Sequence, residues 1–252
     1  MSGLLRLAAA AGRESVRAER GGAGRLIEAA HRFSGVRPFA ETFAFWARKN
    51  IVASDVFEAL SDEIKAQSGR LVGVWHTTFT SAIYDSLGKA IERGSTLRDW
   101  LPEAQQILDG FGAAGGEAIY TGTEFSTWYA DLVFRNAWAS SYAAGRYSEM
   151  FSPEWIEAAP YWLYSAIHDD RTRDEHAKLD GKVFRKSDPS ARRLLAPLGH
   201  NCRCTCIELN EDDLAAGGYT VTNGRAAGYE PEPGWGADKV AALVPDALKR
   251  AA

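Results

Sequence analysis

The sequence predicts an α+β fold: a mainly helical N-terminal region followed by a small α+β C-terminal domain with short strands. Three observations carry that expectation. Apolar residues recur at steps of three and four through most of 37–150, the period of an amphipathic helix. At Pro160 the helical rhythm stops, and "AAPYWLYSAIHDD" and "CTCIEL" read as strands. After Asp213 the chain is rich in Gly and Pro, which predicts loop and extended surface. The expected divisions are a flexible Arg/Ala/Gly-rich arm at 1–36, a helical region at 37–150, a compact α+β motif domain at 151–213 and a Gly/Pro-rich tail at 214–252.

The arm holds six arginines against three glutamates. That local excess makes Arg6, Arg13, Arg17, Arg20 and Arg25 candidate contacts for DNA phosphates, with a solvated helix as the alternative. Its opening, "MSGLLRLAAAAGRESVRAER", imitates a signal peptide, but the apolar run after Arg6 is too short and a helix start is expected. "RPFAETFAFWARKNIVASDVFEAL" carries helical spacing, with Ser54 as the expected N-cap of a segment beginning at Asp55. Leu71, Val74, Trp75, Thr78, Phe79, Ala82, Ile83 and Leu87 mark one face of the next helix, and Gly94 supplies its stop. Ser95 or Thr96 then caps a short turn, and Pro102 falls in the first turn of the helix it opens. Gly110 to Gly116 has the glycines of a hinge and no phosphate-loop Lys-Ser/Thr. "EFSTWYADLVFRNAWASSYAAGRYSEM" predicts a long amphipathic helix with Trp128, Leu132, Arg135, Trp138 and Tyr142 in register. A last helical piece, short and frayed, is expected over 244–252.

Bulk properties narrow the function. The net charge of −4 over 252 residues gives no global attraction to nucleic acid or an anionic membrane. No apolar run is long enough to span a bilayer, so no membrane partner is expected. The three cysteines all lie between Cys202 and Cys206, which cannot frame a secreted disulfide protein and points to a cytosolic origin. Eight tryptophans suit extended packing surfaces and interfaces.

Two polar clusters stand out. In "HDDRTRDEHAKLDGKVF" a helical turn starting at Thr172, with Glu175 three positions on, projects His176, and Gly181 suits a tight left-handed turn. "PLGHNCRCTCIEL" sets His200, Cys202, Cys204 and Cys206 on an alternating segment, where a strand would point the three cysteines to one face. A structural zinc ion held by His176, Cys202 and Cys204, with His200 as a further candidate, is one reading. Small buried cysteines beside a hydrogen-bonded histidine are the other, and the usual C-x-x-C knuckle is missing. No G-x-S-x-G, H-E-x-x-H or phosphate-binding loop occurs, and no enzyme activity is expected.

The order D-x-R-T-R-x-x-H-x-x-x-x-G-x-x-F, a Pro-containing spacer and then H-N-C-R-C resembles the signature of the phage Mu protein F-like minor head proteins. Asp169, Arg171, Thr172, Arg173, His176, Gly181, Phe184, Pro197, His200, Asn201, Cys202, Arg203 and Cys204 carry it here. "FRNAWASSYAAGRY" resembles the helix before this motif in such proteins, and "RPFAETFAFWARKN" their helical opening, so the likeness spans 37 to about 235. It implies a minor head protein of a tailed phage, prophage or phage-like particle, present in few copies and lying in the head interior. Its implied partners are the portal protein and the capsid interior, with packaged DNA reached through the arginine arm. Its implied work is head assembly or genome delivery. Cys206 is extra to the motif, and the closing stretch matches the family only in "PGW". The alternatives are a zinc-stabilised DNA-binding module and a hydrolytic or toxin-like enzyme; no fused effector module is expected in the short stretch after the motif.

Overall fold

The structure, a computed structural model, describes residues 40–74, 76–113, 126–232 and 235. The arm with Arg6, Arg13, Arg17, Arg20 and Arg25, Trp75, the later glycines of the 110–116 stretch and the 244–252 piece lie outside the described residues.

The front of the chain is helical, as the period predicts. In order it forms α1 (Ala40–Ala47), α2 (Ser54–Glu58), α3 (Asp62–Gln67), α4 (Thr77–Arg93), α5 (Leu97–Ala113) and α6 (Thr127–Met150). Two-residue strands β1 (Asn50–Ile51) and β2 (Ser68–Gly69) pair in parallel between them. Helices α4, α5 and α6 share one apolar core built on Phe79, Ile83, Leu87, Ile91, Trp100, Tyr129 and Phe134. Two indoles there find partners: the Trp100 indole donates to Ser86 Oγ at 2.9 Å, and Trp46, stacked on Tyr84, donates to the Tyr84 carbonyl at 2.8 Å.

Several boundaries and faces differ from expectation, each for a local reason. Leu71 and Val74 are buried in the predicted core but precede α4. The helix starts only at Thr77, where the His76 ring accepts from Phe79 N at 3.2 Å. Ser54 lies inside α2, whose N-cap is Ala53, because its hydroxyl accepts from Gly73 N instead. Pro102 is the sixth residue of α5, past the first turn, because Thr96 and Asp99 cap the helix earlier. Gly94 does end α4, in a left-handed conformation. In α6 the predicted register holds only in part: Leu132 and Trp138 pack against the core, but Trp128 is 69% and Tyr142 44% exposed and Arg135 is exposed, while Tyr129, Ala130, Phe134, Ala137 and Ala144 face inward. Small residues on the buried face, Ala130 and Ala137 among them, pack directly into the core shared with α4 and α5.

The rear begins with α7 (Pro153–Ala158) and β3 (Tyr161–Ser165), then α8 (Asp174–Ala177), β4 (Val183–Arg185), β5 (Thr205–Leu209) and α9 (Glu211–Gly217). The three strands form an antiparallel sheet in the order β4-β3-β5, with Trp162 opposite Phe184 on one side and Glu208 on the other. All five residues of the central strand are buried. Trp162 and Tyr164 pack with Tyr147 and Met150 of α6, while Tyr161 and Leu163 pack with Val183 and Leu209 on the opposite face. Sequence reading missed β4, three residues long, and expected loop and extended surface between Asp213 and the last helical piece. Helix α9, capped reciprocally by Asn210 and Asp213, runs into that stretch as far as Gly217, and Val221 bridges to Val183. Among the described residues no helix is long and apolar enough to cross a membrane.

Candidate functional site

The two polar clusters meet at one end of the sheet. Leaving β3, the chain is held by Asp180, whose carboxylate accepts from Ala166 N at 2.8 Å and lies 2.9 Å from His168 Nε2. Asp169 then closes a turn on itself, accepting from Arg171 N at 3.1 Å, and Thr172 donates its hydroxyl to the Ile167 carbonyl at 2.5 Å. Thr172 therefore braces the turn, and the N-cap of α8 is Arg173, with no side-chain cap. Four residues of α8 suffice to carry His176 inward until it is 2% exposed. Gly181, at φ +76°, reverses the chain and donates to the Tyr164 carbonyl, returning it to the sheet as β4.

Asp169 also receives the second cluster. Arg203 reaches it with two parallel bonds of 2.6 Å each, a fork-to-fork pair. Those bonds hold the Asp169 carboxyl well below the usual carboxylate range. Arg171, mostly exposed, stands 3.5 Å from the same carboxylate. Arg173 crosses in the other direction, donating to the His200 carbonyl at 2.9 Å and pairing with Glu232 at 3.0 Å. Asn201 adopts a left-handed φ of +56°, which asparagine tolerates better than most residues. Asn136 on α6 accepts from Asn201 N at 2.7 Å and faces His200 Nδ1 at 3.2 Å.

The buried centre of this junction is His176. Its Nδ1 lies 3.5 Å from Cys202 Sγ and 3.6 Å from Cys204 Sγ, and the three atoms are all within 4.8 Å of one another. Its Nε2 lies 3.1 Å from the Tyr229 hydroxyl, with the rings edge to face. A hydrogen bond from Cys204, with His176 adding to it, draws the Cys202 thiol toward thiolate. The same bond and the neighbouring charge push Cys204 upward. The Tyr164 hydroxyl is buried beside these sulfurs and faces Cys204.

Neither the candidate ligand His200 nor Cys206, expected on one face with the other cysteines, joins them. His200 sits on the exposed turn, its ring against Trp235 and Asn136, because Asn201 needs the left-handed turn there. Cys206 points into the core and not toward the other two thiols. It is 3.4 Å from the Tyr147 hydroxyl and 3.5 Å from Ala196 N, and burial pushes it up to about 11. The strand begins only at Thr205, so Cys202 and Cys204 precede the pleat that was to align all three. Sequence reading also missed Asn136, Tyr164, Tyr229 and Glu232. An aromatic residue such as Tyr229 in a Gly/Pro-rich stretch is a usable signal of docking; Asn136 offers none. Lys182, Arg193 and Asp188 bind the backbone of 224–229 and so hold Tyr229 over the site.

The family model described as "Phage Mu protein F like protein" matches residues 81–207, half of the chain and both clusters. The chain belongs to the phage Mu protein F-like family. It is 28% identical over 138 residues to the "Mu-like prophage FluMu F protein" of Haemophilus influenzae, covering 54% of this chain and 33% of that protein. It is 38% identical over 85 residues to the "Putative capsid assembly protein F" of Escherichia phage Mu, covering 34% of this chain and 19% of that protein. The matches thus span a third or less of these curated relatives. No solved structure matches significantly. The matched segment of this Mu F-like chain stops before Tyr229 and Glu232, so the part of the site supplied by the tail lies beyond it.

Proposed function

We propose that this chain is a minor head protein of a tailed phage, prophage or phage-like particle. It associates with the portal or the inner capsid and assists head assembly or genome delivery. The observation that carries this reading is the family match across both clusters, together with a relative in phage Mu whose name is a capsid assembly protein. The site agrees with a fastening role. Asp169 is engaged by Arg203, Arg173 by His200 and Glu232, and Asn201 by Asn136, so the motif's polar groups are spent on joining chain segments.

Head partners would meet the outward side of α6, where Trp128, Arg135 and Tyr142 recur every seven residues and are exposed. Large exposed aromatics with an arginine are the residue types enriched where protein interfaces bury surface. The test is co-sedimentation of the tagged full chain with heads or procapsids, and pull-down of the portal protein of the same particle. Incorporation that falls at least tenfold in a Trp128→Ser/Tyr142→Ser double variant with unchanged melting supports the reading. A chain absent from particles, or one incorporated equally well by the variant, overturns it.

A further inference from the structure

The geometry points to a zinc site in which His176 Nδ1, Cys202 Sγ and Cys204 Sγ bind one ion and a water molecule completes the tetrahedron. The inference stands apart from the head-assembly reading and concerns what this fold holds.

The distances carry it. Zinc bonds of about 2.3 Å to sulfur and about 2.0–2.1 Å to nitrogen set an N···S edge of about 3.6 Å at the tetrahedral angle. The two N···S separations are 3.5 and 3.6 Å. Hydrogen bonding accounts for them poorly, because the single in-plane lone pair of Nδ1 accepts one good bond and two sulfurs converge on it. A proton on Nε2, donated to the Tyr229 hydroxyl at 3.1 Å, leaves that lone pair facing the sulfurs. This is the outer-shell arrangement that orients a metal-binding histidine. A soft set of two thiolates and an imidazole selects zinc over magnesium, calcium or manganese.

A second observation points to the fourth position. Among the described residues no further His, Cys, Asp or Glu joins the three. The Tyr164 hydroxyl, buried beside Cys204, is the polar group that a zinc-bound water would meet. Binding breaks two S–H bonds, forms two Zn–S bonds and one Zn–N bond, and sends two protons to solvent. The ion would join α8 to the lead-in of β5 and, through Tyr229, steady the segment over the site.

The test uses the full chain purified with reductant from zinc-supplemented cells, with metal content read by mass spectrometry. About one zinc per chain is expected for the wild type and for Cys206→Ser, and below about a tenth for Cys202→Ser and Cys204→Ser. Because a ligand variant can fail to fold, cobalt is also titrated into chelator-treated wild type. Thiolate-to-cobalt charge transfer with the intense visible bands of tetrahedral cobalt is the expected signature. Folded wild type that holds no zinc and gives no such bands overturns the site, and so does equal metal content in Cys202→Ser, Cys204→Ser and Cys206→Ser.

Discussion

Lys186 offers the sharpest quantitative test of how the rear of the molecule is held. Its side chain is fully buried, and Nζ donates to the Met150 carbonyl at 2.8 Å and the Trp155 carbonyl at 3.1 Å. One ammonium therefore ties the ends of α6 and α7 to the chain leaving β4. Lys186→Met keeps the length of the stem and deletes both bonds. Hydrogen bonds to a charged group contribute about 1.5–3 kcal/mol each, so the gross loss is about 3–6 kcal/mol. Against this, burial lowers the Lys186 pKa from 10.5 to about 8, an upper bound of about 3 kcal/mol relieved by the substitution, less whatever nearby solvent screens. The bonds win: the variant should be about 1–3 kcal/mol less stable at pH 7, or roughly 3–10 °C in Tm for a chain of this size. The pH dependence gives an independent check. With its folded pKa below its unfolded one, lysine binds more protons unfolded between about pH 8 and 10.5, so its contribution to stability rises with pH across that window. The methionine variant lacks that rise, and its deficit should widen from pH 7.5 to pH 10 in urea titrations under reductant. A deficit under about 0.5 kcal/mol at pH 7, or one that shrinks as pH rises, would refute the reasoning.

Three further outcomes follow from the same contacts. Tyr147→Phe removes the hydroxyl that donates to the Ala196 carbonyl beside Cys206; the orphaned buried carbonyl should cost about 1–3 kcal/mol in urea unfolding, with m unchanged. Asp169, held below its ordinary range mainly by Arg203, contributes stability that is present above the unfolded carboxylate value of about 4 and lost as pH falls through the folded one. Melting of Asp169→Asn should therefore fall less steeply than wild type below about pH 4, and Arg203→Lys should not restore the paired bonds; identical acid profiles would count against the pair. Gly224→Ala places a Cβ 2.3 Å from Ala191 N and 2.5 Å from the Ser190 carbonyl carbon. Backbone cannot yield as a side chain does, so a loss of about 1–3 kcal/mol and faster proteolysis after Asn223 are expected; an unchanged digest would show that the segment is not seated as described.

The sequence by itself determined the helical front, the two longer strands, the left-handed Gly94 and Gly181, and the idea that the two polar clusters belong together. These are local or patterned properties: a period of three to four, a break at Pro160, and residue types that demand partners when buried. Tertiary structure decided what depends on neighbours distant in the chain. Which side of α6 is buried follows from close packing against α4 and α5, which favours Ala130 and Ala137 over the larger Trp128. Strand β4, three residues long, exists because β3 offers it an edge, and α9 forms behind a capping box that composition hides. At the site, His176, Cys202 and Cys204 were named from sequence, yet His200 and Cys206 were grouped with them because spacing cannot tell which way a chain turns. The left-handed Asn201 and the start of the pleat at Thr205 send those two side chains elsewhere. Asn136 was beyond sequence reading for the same reason: it meets Asn201 across 65 residues of chain, and Tyr229 meets His176 across 53, through geometry that exists only once the sheet and α6 have closed on one another.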